Sequence, residues 1–134
     1  MIQSLFQIVS NECIARNTYK MVLSGDVSPI NRPGQFVNIK LKGFFLRRPI
    51  SVCDIDRSEN TLTIVYKVVG KGTEFMSRLP MNEQLDVLAG LGNGYDTSLC
   101  GEHPLLIGGG AGVPPMFLLA KQLISEGKIP MVIA

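Results

Sequence analysis

The chain has 134 residues, with 13 lysines and arginines against 11 acidic residues and a formal net charge of +2. That length bounds it to about one ordinary domain, with enough chain to bury a sizeable core. Basic residues are scattered apart from Arg47-Arg48, and the aromatic residues do not interleave with a basic stripe, so composition gives nucleic-acid binding little support.

Cys13, Cys53 and Cys100 are odd in number and far apart. They make neither a disulfide framework nor a C-x-x-C metal motif, and read as buried reduced thiols. His103 is the only histidine, and no carboxylate–histidine–thiol grouping is legible, which argues against a hydrolytic triad. Met1 to Phe6 lacks a basic segment followed by an apolar core, so it is not a signal peptide. No apolar run approaches the roughly 20 residues a membrane helix needs. The expectation is a soluble, cytoplasmic protein without a membrane partner.

In chain order, residues 5–14 and 18–24 read as strands with a turn at Arg16-Asn17. Pro33-Gly34 is a turn dipeptide that launches an alternating strand from Gln35 to Leu41, with Phe36, Val37 or Ile39 as candidates for one face. Arg48 to Ile55 is a further strand, followed by a polar loop over 56–60. Thr61 to Val69 is the strongest β signal, dense in branched and aromatic residues, and Gly70 and Gly72 end it. Thr73 is suited to N-cap a short helix that runs to Arg78 and stops before Pro80. Glu83 to Leu88 is the last of six short strands, before a glycine-rich segment at 90–94. Six strands with regular turn signals predict a small closed antiparallel barrel or a sandwich over residues 1–99.

Around residue 100 the pattern changes. Pro104 to Ile107 is short and wholly apolar, as in a parallel sheet covered on both faces. A glycine-rich turn, Gly108 to Gly112, then leads through Pro114-Pro115 into a helix over Met116–Ile124, with Gly127 at the C′ position. Ile129 to Ala134 reads as the next strand. Residues 100–134 thus predict one β-α-β unit, the beginning of an α/β nucleotide-binding domain. One helix and two parallel strands cannot cover both sheet faces, so the sequence is expected to be a piece of a longer two-domain protein.

Two stretches carry the chemistry. Leu46-Arg47-Arg48-Pro49-Ile50-Ser51-Val52 sets an arginine, a rigid proline and a hydroxyl at the start of a strand. The arginine's planar fork of donors suits a phosphate. Val65-Tyr66-Lys67-Val68-Val69-Gly70-Lys71-Gly72-Thr73 runs from a strand into glycines at the start of a helix, where backbone N–H groups favour an anion. Two anion-binding devices beside a strand pair suggest a cofactor that contains pyrophosphate. Gly110-Ala111-Gly112 stands at a strand-to-helix junction of the kind that holds a dinucleotide phosphate, but Pro115 occupies the third glycine position of G-x-G-x-x-G.

Taken in order, Arg-Pro-x-Ser, a β-rich strand, Gly-x-Gly-Thr before a helix and Gly-Gly-Gly-x-Gly-x-x-Pro resemble the ferredoxin–NADP reductase superfamily over essentially the whole chain. Within it, Leu46 to Cys53 followed by Val69 to Thr73 is most similar to the branch of electron-transfer subunits that serve NAD-linked bacterial dihydroorotate dehydrogenases. The resemblance implies a six-stranded antiparallel flavin-binding barrel over 1–99 and the first βαβ unit of a Rossmann-like NAD-binding domain over 100–134.

It also implies roles. Arg48 would hold the FAD pyrophosphate, Pro49 and Ile50 would shape the strand against the flavin, and Ser51 would hydrogen-bond near the ring edge. Val65, Tyr66 and Lys67 would line the flavin, Gly72 and Thr73 would donate to phosphate, and Gly109, Gly110 and Gly112 would lie near NAD(H). Such proteins carry a [2Fe–2S] centre on closely spaced cysteines. Cys13, Cys53 and Cys100 do not match that spacing, so the centre is expected outside this sequence and no metal ligand is assigned. The implied partner is a catalytic FMN-containing dihydroorotate dehydrogenase subunit in a heterotetramer, reached through an oxidoreductase component that is inactive as a fragment. No catalytic acid or base is needed for hydride transfer and none is named. The alternatives are a flavin reductase subunit linked to ferredoxin or a hydrogenase, and a barrel scaffold without a cofactor.

Overall fold

The computed structural model describes residues 1–134. Six strands form a closed antiparallel barrel: β1 (Ile2–Ala15), β2 (Thr18–Ser24), β3 (Phe36–Lys40), β4 (Arg48–Asp56), β5 (Thr61–Lys67) and β6 (Gln84–Leu91). Their order is β1-β2-β5-β4-β3-β6, and β6 returns to pair with β1. Closure leaves no open edge, which settles barrel over sandwich.

The alternation read in the sequence is what fills the barrel. Phe6, Ile8, Met21, Leu23, Val37, Ile39, Val52, Leu62, Ile64, Tyr66, Leu85, Val87 and Ala89 point inward and form most of one continuous core. On β3 the inward pair is Val37 and Ile39, while Phe36 is half-buried. Each aliphatic side chain buried this way contributes about 1.5–3 kcal/mol of transfer free energy. A register shift between β3 and β6 falls where β6 runs through Gly90, whose φ is +78°. A Cβ there would sit 2.6 Å from the Pro29 carbonyl oxygen, so only glycine allows this close approach.

Helix α1 (Lys71–Ser77) crosses from the end of β5, with Met76 buried in the barrel core. Its start differs from expectation. Gly70, extended at φ −167°, is the N-cap, and Thr73 lies in the first turn rather than at the cap.

Beyond the barrel, β7 (Leu105–Ile107) and β8 (Met131–Ile133) pair in parallel, joined by a 3-10 turn at Gly110–Gly112 and helix α2 (Pro114–Ser125). The helix begins two residues before the predicted start, with Pro114 and Pro115 in its first turn, where a missing N–H costs nothing. Gly127 follows the helix with φ +82°, as the C′ assignment requires. Leu106, Met116, Leu119 and Leu123 form a separate small core. The opposite side of α2 rests on β4: Leu118 packs against the barrel core and Lys121 Nζ donates to Asp54 Oδ1 at 2.8 Å.

The cysteines are not buried. Cys13 is exposed, and Cys53 and Cys100 are half-buried. Cys13 lies beyond the stretch of β1 that faces the core, and Cys100 sits on the surface turn where Lys128 Nζ donates to its sulfur at 3.3 Å. No helix is long and apolar enough to cross a membrane.

Candidate functional site

A cavity of about 490 Å³ opens where the ends of β4 and β5 meet helix α1 and the glycine turn before α2. Its size suits a cofactor-sized ligand. Arg48, Pro49, Ile50, Ser51, Val65, Tyr66, Lys67, Thr73 and Gly110 all line it. Two stretches far apart in sequence are thus brought to one cavity. The fold does this through β4–β5 pairing, with Val52 opposite Ile64, so that Arg48–Ser51 and Val65–Lys67 extend side by side past that pair.

The two adjacent arginines have different work. Arg47 is bound: its Nη2 donates to Asp86 Oδ1 at 3.0 Å, and its Nη1 donates to the Asn38 and Asp86 carbonyls at 3.1 and 3.3 Å. It ties β3 to β6. Asp86 is drawn below the usual carboxylate range because, although burial opposes the charge, hydrogen bonds from Arg47 and Gln3 and the charges of Arg47 and Lys40 outweigh it.

Arg48 makes no ion pair with any carboxylate. Its guanidinium lies 5.3 Å from the centre of the Phe44 ring, donates to the Leu46 carbonyl at 2.5 Å, and packs on Gly72. A Cβ at Gly72 would fall 2.7 Å from its Nη2 and 2.8 Å from its Cζ. The absence of a side chain at Gly72 is therefore what lets the arginine reach the first turn of α1. A cation has been brought to the end of a helix that is itself partially positive, and the carboxylate of the first turn, Glu74, pairs with Arg78 and not with Arg48. Such a pairing is unfavourable until an anion joins it.

Thr73 has a different function from the one its sequence position implies. Its Oγ1 accepts from the N–H groups of Val69 and Gly70 at 2.9 and 3.2 Å and donates to the Gly70 carbonyl at 3.2 Å. The hydroxyl is committed to shaping the turn. The backbone N–H groups of Lys71, Gly72 and Thr73 have no intrahelical acceptor, and of these three residues Thr73 borders the cavity. Gly72 itself does not line the cavity; it makes room for Arg48.

Tyr66 is both core and wall. It is 4% exposed, stacks on Tyr19 with ring centres 5.9 Å apart, and borders the cavity. Its hydroxyl donates to Asn11 Oδ1 at 2.8 Å, and burial pushes its pKa up to about 12.

Of the glycines before α2, Gly110 reaches the cavity, with Ala111 and Pro114, whereas Gly109 and Gly112 do not. Gly110 holds φ +54°, and a Cβ on Gly108 would sit 2.8 Å from the Gly112 carbonyl oxygen, so the turn is closed on itself. Sequence reading missed Thr18, Val69, Ala111 and Pro114 as lining residues. Thr18 was within reach, since it stands opposite Lys67 in the β2–β5 register.

A barrel with an arginine, a serine and a helix-capping glycine at one rim, followed by a β-α-β unit whose turn faces that rim, defines a class. The chain is similar in sequence and fold to members of the ferredoxin–NADP reductase superfamily. In sequence it is 48% identical over 126 residues to the dihydroorotate dehydrogenase B (NAD(+)) electron transfer subunit of Fusobacterium nucleatum, covering 90% of this chain and 49% of that one. It is 43% identical over 135 residues to the same subunit of a Geobacillus species, covering 96% and 52%. The chain thus spans about half the length of the curated relatives it matches. Among solved structures, an NADH-dependent reduced ferredoxin–NADP oxidoreductase matches with a TM-score of 0.85 at 32% identity, over 96% of this chain and 47% of that one. Phthalate dioxygenase reductase shares the fold, with a TM-score of 0.81 at 23% identity, over 97% and 42%. No family model matches the sequence.

Proposed function

We propose that this chain is the flavin-binding part of the electron-transfer subunit of an NAD-linked dihydroorotate dehydrogenase, with FAD in the cavity bounded by Arg48, Tyr66 and α1. The observation that carries the reading is Arg48, unpaired with any carboxylate and seated on Gly72 at the open N–H groups of α1. The residues fit the group. A pyrophosphate supplies the missing anion, and the cavity has polar atoms from Ser51 and Lys67 beside the apolar Pro49, Ile50 and Val65.

When bound, FAD supplies the two-electron and one-electron chemistry, which side chains do not. The chain's own part is to bind and orient. Arg48 and the N–H groups of Lys71–Thr73 hold phosphate charge, and Thr73 keeps those N–H groups in place. Val65 and Tyr66 form one wall, and Pro49 to Ser51 form the other. The turn at Gly110 and Ala111 borders the same cavity, where an incoming nicotinamide ring from NAD(H) would meet the flavin. Residues 1–99 would be the FAD barrel and 100–134 the first unit of the NAD-binding domain. Gly109 and Gly112, where a side chain would meet open space, would leave room for the nucleotide beside the turn.

The reading extends to a cytoplasmic heterotetramer with a catalytic FMN-containing subunit that oxidises dihydroorotate; the separate Cys13, Cys53 and Cys100 do not fit a [2Fe–2S] centre. Relatives twice this chain's length bearing that subunit's name support it. The 32% identity to a ferredoxin-linked oxidoreductase favours a ferredoxin acceptor as the second reading, with less identity behind it.

The test is to add FAD to the purified chain, remove the excess by gel filtration and record the visible spectrum. Retained flavin bands are expected. Arg48→Ala should weaken FAD by roughly 10- to 100-fold, as loss of charge-assisted hydrogen bonds worth about 1.5–3 kcal/mol implies. A folded barrel that retains no flavin would overturn the proposal.

A further inference from the structure

Asn11 lies outside the cavity lining, yet it joins two of the elements that build the cavity. Its Nδ2 donates to the carbonyls of Met76 and Leu79, at 2.8 and 3.1 Å, at the C-terminal end of α1. Its Oδ1 accepts from the Tyr66 hydroxyl at 2.8 Å. The orientation of this amide follows from chemistry. Two carbonyls can only accept, so the NH₂ must face them, and the oxygen is left to face Tyr66. The Tyr66 proton is therefore committed to Asn11.

The Met76 carbonyl in the last turn already accepts from the Leu79 N–H at 3.1 Å, and a side chain from β1 adds a second donor to it and supplies one to the Leu79 carbonyl just past the helix. One residue thus fixes how far α1 stands from the end of β5. At the other end of that helix are Gly72 and Thr73, against Arg48; at the end of that strand is Tyr66, on the cavity wall. We infer that Asn11 is the positioning residue of this site, setting the separation between the phosphate-holding turn and the Tyr66 wall. The inference rests on the flavin reading of the cavity. It concerns the 134-residue chain alone and needs no acceptor.

The experiment measures FAD dissociation constants and the visible spectrum of bound FAD for the parent chain, Asn11→Ala, Tyr66→Phe and the double variant. Expected are roughly tenfold weaker binding in each single variant, a displaced flavin band in both, and a double variant no weaker than the weaker single. That last non-additivity is the mark of one shared network. A purely structural Asn11 would lower the melting temperature while leaving the dissociation constant and the spectrum of the folded variant at parent values, and that outcome overturns the inference. If Asn11→Ala does not fold, Tyr66→Phe decides, because it removes only the hydroxyl; parent-like binding and spectrum in that variant also overturn it. A parent chain that folds and retains no FAD would bring down the flavin reading and this inference together, and so is distinct from failure of the variants alone.

Discussion

Arg48 occupies the space that a side chain at Gly72 would need. The pair explains why a glycine stands inside a seven-residue helix, where alanine would ordinarily be better by about 1 kcal/mol. Gly72→Ala should therefore separate folding from binding. The variant is expected to melt within a few degrees of the parent, while the displaced guanidinium weakens FAD about tenfold, or about 1.4 kcal/mol. Calorimetric titration beside a thermal melt reads both. Unchanged affinity would mean that Arg48 holds phosphate from another position.

Thr73 spends its hydroxyl on the Val69 and Gly70 backbone. Thr73→Val keeps the shape and loses all three hydrogen bonds, so it should destabilise the chain by about 1–2 kcal/mol in urea denaturation. Thr73→Ser should restore most of that. Parent-like stability in the valine variant would show that the turn is held by the glycines alone.

The Arg47–Asp86 pair predicts the acid limb of the stability curve. Asp86 is depressed in the folded state, so its contribution is present above its unfolded pKa of about 3.8 and is lost as pH falls through the lower folded value. Asp86→Asn should be less stable than the parent at neutral pH, with the difference shrinking as pH falls below the unfolded value of about 3.8. Urea midpoints across that range test it, and a difference independent of pH would remove the pair as a cause.

Tyr66 governs the opposite end. Its folded pKa, pushed from 10.0 to about 12, means that above pH 10 the unfolded chain loses this proton before the folded one does. Stability should be unaffected by Tyr66 at lower pH and fall progressively between those values. Tyr66→Phe should lose that slope in alkaline denaturation; an identical slope in both proteins would assign it to other groups.

The β7–β8 sheet and its helix leave Leu105, Ile107, Phe117, Ile124, Ile129, Met131 and Ile133 about half exposed or more. The isolated chain is expected to bind a hydrophobic dye and to self-associate as concentration rises. Light scattering should fall in an Ile107→Lys variant. Monodisperse behaviour at high concentration would show that this surface does not drive association.

The barrel was legible because a period of two is hard to mistake when one face is buried throughout, as in β5, where Leu62, Ile64 and Tyr66 alternate with half-buried or exposed residues. The rim residues were legible through their order in the chain. The start of α1 was not. Glycine at an N-cap offers no side-chain signal, so the nearest hydroxyl, Thr73, drew the assignment three residues too far along. The start of α2 was hidden for a related reason: two prolines read as a break, although the first helical turn accepts them. Asn11 carries no local signal, since its partners lie 55 to 68 residues away. Nor could the sequence separate Arg47 from Arg48, whose difference is made by Asp86 and Gly72 arriving from distant parts of the chain.

Helix α2 starts at the cavity with Pro114 and lies along β4, the strand that starts at Arg48, with Leu118 against the barrel core and Lys121 on Asp54. Its seat on the barrel wall therefore sets where the Gly110–Ala111 turn stands at the cavity. Tilting the β-α-β unit away from β4 would swing Gly110 and Ala111 across the cavity mouth, widening or narrowing the gap an incoming nucleotide must enter. The aperture thus depends on the seat of α2 on β4, one member of which, the exposed Lys121–Asp54 ion pair, salt loosens.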